Sequence, residues 1–249
     1  MPTFDLSISS LRELNTALHQ VEEGNNDIHF DILNPRGHHA VAVGIAAHLT
    51  VDIKGSVGYY CAGMNDGADI VIHGSAGPGV AENIMSGTVV VEGDASQYAG
   101  ATGHGGLLVI RGNASSRCGI SMKGLDIVVQ GNIGHMSAFM AQAGNLVVLG
   151  NAGDALGDSI YEAHLFVRGQ VKSLGSDCIE KEMRPEHHDI VANLLRRAGI
   201  SGVDTAEFRR YGSARKLYNF HVDNAMRKLG AATRIQAAVK SVLLGLIEP

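Results

Sequence analysis

Glycines that close short apolar runs fall at Gly55, Gly74, Gly93, Gly112, Gly131, Gly150 and Gly169, and every interval is 19 residues. Gly37 lies 18 residues before Gly55 and is a candidate eighth station. A register held over six intervals confines the chain to architectures that stack one small unit on itself. Residues 37–175 therefore read as a solenoid.

Aligning the coils on the glycine gives each column a physical role. Two positions before it stand Ile53, Ile72, Val91, Ile110, Val129, Val148 and Val167, and four before it Val51, Ile70, Val89, Leu108, Ile127, Leu146 and Leu165. Columns two apart point to the same side of a strand, so these are the interior stacks. Their β-branched character suits a parallel strand. One position before the glycine the residues are mostly polar or charged (Lys54, His73, Glu92, Arg111, Gln130, Leu149, Arg168), as on a solvated outer face. A strand, a glycine corner and a return path make a parallel β-helix with coils about 4.8 Å apart. One after the glycine come Ser56, Ser75, Asp94, Asn113, Asn132, Asn151 and Gln170, and Asn113, Asn132 and Asn151 are placed to bond along the axis as a ladder. A further column, Ala62, Ala81, Gly100, Gly119, Ala138 and Gly157, stays small, as a tight corner requires.

One column breaks the alternation. Three positions before the glycine, where an outward residue belongs, stand Val71, Val90, Val109, Val128, Val147 and Phe166. Five coil steps make this an apolar stripe roughly 24 Å long. Such a stripe is normally covered, either by this chain's own terminal segments or by another subunit.

The ends differ from the middle. Residues 1–36 read as a helix and strand that cap the solenoid: Ser10 and Glu13 have capping-box spacing, Leu11, Leu14, Leu18 and Val21 follow at helical intervals, and residues 28–33 alternate like a strand. Residues 176–249 read as a helical extension, with helices over 186–197 and 231–246 and a candidate cap at Asp204. This last region holds 12 of the 20 Lys and Arg but 9 of the 25 Asp and Glu, which leaves residues 1–175 with 8 basic against 16 acidic side chains. The net charge of -5 argues against nucleic acid as the partner. No signal peptide or membrane span is read, and three Cys without a framework suit reduced thiols, so a cytoplasmic protein is expected.

Catalytic and ligand-binding motifs are not found. Gly74–Gly79 and Gly103–Gly106 lie within the coil repeat and lack the Lys-Ser/Thr of a phosphate loop. Cys61 and Cys118 share a column but sit three coils apart, about 14 Å, too far for a disulfide or a shared metal. Of the twelve His, the adjacent pairs His38-His39 and His187-His188 diverge, and His73, His104, His135 and His164 occupy different columns, so no metal site is expected from them. A hexapeptide β-helix of the acyltransferase kind would need 18-residue coils and a six-residue repeat, which this register contradicts.

The repeated strand-Gly-[Ser/Asp/Asn]-x-Gly unit, as in Ile127–Gly134 and Leu146–Gly153, resembles the GXGXG-repeat family. That family includes the C-terminal domain of the glutamate synthase large subunit and the C subunits of formylmethanofuran dehydrogenase and formyltransferase/hydrolase complexes. The resemblance implies a right-handed parallel β-helix. The flanks are more discriminating. The opening Met-Pro-Thr-Phe-Asp-Leu, the helix starting Leu11-Arg-Glu-Leu-Asn and the segment Phe208–Asn224 resemble the GlxC family, which corresponds to one of the three kinds of subunit of N-methylglutamate synthase. The resemblance implies a subunit without catalytic residues, cofactor or metal of its own. Its complex would exchange methylamine for ammonia on glutamate. The implied partners are a class II glutamine amidotransferase-like subunit and a glutamate synthase-like subunit carrying FMN, with an iron–sulfur cluster as a further candidate there. Arg209, Arg210, Tyr211, Arg215, Lys216 and Tyr218 are then candidate interface residues alongside the Val/Phe stripe, since Arg and Tyr are enriched at such contacts. The alternatives are a β-helix subunit of a true glutamate synthase or of a formyl-transferring complex, and a β-helix enzyme acting alone.

Overall fold

The computed structural model describes residues 2–21 and 28–217, together with 229, 230, 233, 236, 239, 240 and 243. Tyr218 and most of the helix expected over 231–246 lie outside these residues. The chain divides into two units, Met1–Ser213 and Ala214–Pro249. The composition change near residue 175 thus marks the end of the parallel coils without being a domain boundary.

The first unit is built on one 11-stranded sheet. Strand β1 (Thr3–Asp5) and strands β2 (His29–Leu33), β3 (Thr50–Lys54), β4 (Asp69–Ile72), β5 (Thr88–Val91), β6 (Leu107–Ile110), β7 (Lys123–Val129), β8 (Ala143–Val148) and β9 (His164–Val167) pair in sequence order, all parallel. From β3 to β9 the partners are 19 residues apart, as in Val90↔Val109 and Val128↔Val147, with one irregularity between Lys123 and Asp126. A second row of parallel bridges runs Val57, Ala76, Ala95, Ala114, Ile133, Ala152 and Val171, so each coil meets the next along two lines. The two interior columns of the strands are fully buried from Val51 and Ile53 to Leu165 and Val167. The protein is a parallel β-helix.

The return path of each coil has its own backbone signature. Tyr60, Ala62 and Met64 take positive φ at alternate positions, and the pattern recurs, for example at Met136, Ala138 and Met140. Left-handed backbone is costly for residues with a Cβ. It is sustained here by hydrogen bonds to the coils above and below: the Tyr60 amide donates to Pro78 O at 2.9 Å, and the Ala62 amide to Val41 O at 3.0 Å. The middle position of each trio is completely buried at Ala62, Ala81 and Ala138, which explains why that column stays small.

Both ends are closed by the chain itself. Helix α1 (Leu11–His19) starts with a capping box in which the Glu13 amide donates to Ser10 Oγ and the Ser10 amide to Glu13 Oε2. It buries Leu14 and Leu18, and its Asn15 side chain bonds Ala40 O and the Ala42 amide. At the other end the structure departs from the expected helical extension. β10 (Cys178–Lys181) pairs antiparallel with β11 (Arg209–Ser213), and β11 pairs antiparallel with β9. An exposed parallel edge invites strand addition, and reversing direction with a short terminal hairpin blunts it. Between these strands, helix α2 (Pro185–Arg197) starts with Pro at its first turn, and Gly199 beyond its C-terminus takes a φ of +68°. Asp204 caps a short 3-10 turn, Thr205–Glu207.

Candidate functional surfaces

The outer face of the sheet is divided in two. Over its C-terminal half lies α2: Val191, Leu194, Leu195 and Ala198 pack with Phe208 against Leu107, Val109, Val128, Val147, Leu149 and Phe166. Arg197 fastens the helix end through a 2.8 Å ion pair to Asp126, whose other oxygen accepts from Asn145 Nδ2. Val109, Val128, Val147 and Phe166 are therefore covered by this chain and do not form a docking face for another subunit. The reason is physical: the apolar stripe and the apolar face of α2 satisfy each other within one molecule. Val90 packs at the edge of this cluster and Val71 lies beyond it, and both remain half-buried.

The segment 209–216 is divided between core and surface: Arg209 is exposed and Arg210 half-buried. Tyr211 is 2% exposed and sits opposite Leu165 in the sheet, so it is a core residue and not a surface anchor. Arg209 donates to Gly169 O at 3.1 Å, and Arg210 Nε donates to Glu182 O at 3.0 Å. Arg215 and Lys216 are exposed.

The corner glycines stack directly on one another. The amides of Gly93, Gly112, Gly131, Gly150 and Gly169 each donate to the carbonyl of the glycine one coil before, starting at Gly74. Beside them runs a side-chain ladder: the amides of Asn113, Asn132, Asn151 and Gln170 donate to the side-chain oxygens of Asp94, Asn113, Asn132 and Asn151 at 2.7–2.9 Å. A shallow depression of about 390 Å³ lies along its C-terminal end, lined by Asn132, Asn151, Gln170 and Lys172 among others. The ladder oxygens there are already engaged by backbone amides, so this depression offers structure rather than reactive groups.

The N-terminal half of the sheet, which α2 does not reach, carries a polar constellation that the repeat pattern does not reveal. On β2, His29 and Asp31 point to the same side, and Asp31 lies directly opposite Asp52 of β3. His29 Nε2 is 3.2 Å from Asp52 Oδ2 and 3.6 Å from Asp31 Oδ1. Lys54 Nζ sits 3.0 Å from Asp52 Oδ1, 3.7 Å from Asp31 Oδ1 and 3.3 Å from His73 Nε2, and His73 in turn bonds Asp52 Oδ1. Burial raises the Asp52 carboxyl, but the bonds from His73 and Lys54 outweigh it and leave the group below its ordinary value. A signal for these residues exists in the alternation of residues 28–33. It is hard to use because β2 lies outside the 19-residue register, so its columns do not align with those of β3.

The thiols are inert by environment. Burial pushes Cys61, Cys118 and Cys178 each up to about 12, far above the range of a reactive thiolate. Among the described residues no helix is long and apolar enough to cross a membrane.

No protein-family model matches the chain. It is 71% identical over 225 residues to Protein GlxC of Rhizobium meliloti (strain 1021), an alignment that covers 90% of this chain and 99% of that protein.

Proposed function

Because the chain belongs to the GlxC family, we propose that it is the β-helix subunit of a glutamate-synthase-related complex, namely N-methylglutamate synthase, in which it holds other subunits in place and supplies no catalytic residue. The observation that carries the reading is the GlxC match, which extends over 90% of the chain and so well beyond the repeated coils. The architecture supports it. A stack of coils tied by two rows of parallel bridges, a glycine stack and a side-chain ladder is a stiff platform, and its most conspicuous hydrogen-bonding groups are spent on its own backbone.

In this reading the partners are a class II glutamine amidotransferase-like subunit and an FMN-bearing glutamate synthase-like subunit, and the complex converts methylamine and glutamate to N-methylglutamate and ammonia. The stripe residues left for a partner are Val71 and Val90, with Arg215 and Lys216 as exposed basic candidates. A test is to co-express the chain with both partner types and compare wild type with Val90→Asp. Loss of co-purification by a variant that still melts cooperatively supports the reading. Methylamine- or glutamate-dependent turnover by the purified chain alone contradicts it.

A further inference from the structure

We propose that the outer face of the first coils binds one divalent first-row transition-metal ion through His29, Asp31 and Asp52, and that this ion staples the N-terminal strand β2 to the coil stack. The argument starts from register. Asp31 and Asp52 stand opposite each other on adjacent parallel strands, where like charges repel and a neighbouring cation is stabilising. His29 adds an imidazole nitrogen two residues before Asp31, on the same side of the strand. One ligand atom from each of the three residues lies within 4.8 Å of the other two.

The two separations from His29 are close to those of a coordination shell. Two ligands each about 2.0–2.2 Å from one metal, at angles between octahedral and tetrahedral, are separated by about 2.9–3.5 Å. The His29 Nε2 to Asp52 Oδ2 separation is 3.2 Å, and the His29 Nε2 to Asp31 Oδ1 separation of 3.6 Å is within a small side-chain rotation of that range. The second oxygen of Asp52 is held by His73, and an outer hydrogen bond of this kind fixes how a carboxylate presents its free oxygen to a metal. The donors come from strands rather than loops, and all three side chains are between 16% and 33% exposed, so the site is shallow but rigid. Imidazole with two carboxylates suits a divalent ion of the zinc class, with water completing the shell.

Lys54 is the competitor. Its ammonium reaches both carboxylates and neutralises them when no ion is bound, and its 43% exposure lets it swing into solvent when one is. The assignment is independent of the proposed complex: it concerns this chain alone and is read without partners or turnover.

The test uses tag-free full-length chain stripped with chelator, titrated with Co2+ by visible absorption and with Zn2+ by calorimetry and by thermal melting. One equivalent is expected to bind, and at a free ion concentration about 100-fold above Kd the melting temperature should rise by about 5 °C or more. His29→Gln and Asp52→Asn, both polar replacements on a half-exposed face, should weaken binding at least tenfold and abolish the shift. Lys54→Met should tighten binding. Affinity unchanged in His29→Gln and Asp52→Asn would mean adventitious binding at other histidines and would overturn the proposal. So would the absence of binding to the wild type, or weaker binding by Lys54→Met.

Discussion

Replacing Gly131 with Ala sets two effects of opposite sign against each other. At a backbone conformation that Ala accepts, the change removes unfolded-state freedom and stabilises by about 0.4–1 kcal/mol. Gly131 is not in the left-handed region, so this gain is available. Against it, the new Cβ would lie 2.6 Å from Gly112 O and 2.6 Å from Asn113 Oδ1. Neither atom yields freely. Gly112 O accepts the Gly131 amide at 2.9 Å, and Asn113 Oδ1 accepts both the Asn132 amide at 2.9 Å and its Nδ2 at 3.1 Å. Forcing the coils apart costs about 1–3 kcal/mol as overpacking, and weakening one or two of these bonds adds about 1 kcal/mol each. The clash wins, for a net loss of about 1–4.5 kcal/mol. Urea unfolding of the full chain measures it, with Gly212→Ala as control. Gly212 also lacks a positive φ, and a Cβ there meets nothing nearer than 3.7 Å, so Ala at this position should be neutral or mildly stabilising. If Gly131→Ala is as stable as the control variant, the glycine column is not explained by close approach between coils.

Other consequences are accessible to the same methods. Phe166 is fully buried beneath α2, and Phe166→Ala should cost about 3–5 kcal/mol; a cost below about 1 kcal/mol in urea melts would mean that α2 does not seal the stripe. His164 and His187 are both held below their ordinary value of 6.5, chiefly by burial and then by the charge of Arg210. A histidine kept neutral in the fold contributes its full share above the unfolded value, and stability should fall as pH drops from 6.5 toward the lowered folded values. Urea midpoints between about pH 7.5 and 5.5 should show this slope, and a smaller slope is expected in His164→Gln. With their ionisation pushed up to about 12, the three thiols should resist a thiol reagent at neutral pH in the native protein and react on unfolding; rapid native labelling would contradict their burial.

What is legible in the sequence is everything that repeats. The interior columns, the glycine corners and the Asn113–Asn132–Asn151 ladder are each set by contact with an equivalent residue 19 positions away, so one aligned register exposes them all. The parts that are not legible depend on pairings made once. Arg209, Arg210 and Tyr211 resemble a basic, aromatic surface segment because nothing local shows that they pair with Val167, Phe166 and Leu165. The sequence leaves open whether the chain's own terminal segments or another subunit covers the stripe, because the partner face of α2 lies tens of residues away from it in sequence. The His29–Asp31–Asp52 constellation is hidden for a similar reason. The path from β2 to β3 is longer than a regular coil and places Asp52 21 residues after Asp31, so the 19-residue register does not bring the two carboxylates into one column.

The central claim is that the chain contributes placement rather than chemistry to a glutamate-synthase-related complex. It is tested most directly by measuring N-methylglutamate formation from methylamine and glutamate with the amidotransferase-like and FMN-bearing subunits, with and without this chain. The account predicts no turnover by the chain alone, an assembled complex that contains it, and activity that collapses when it is omitted. Full activity of the two other subunits without it, or turnover by the chain on its own, would contradict the account.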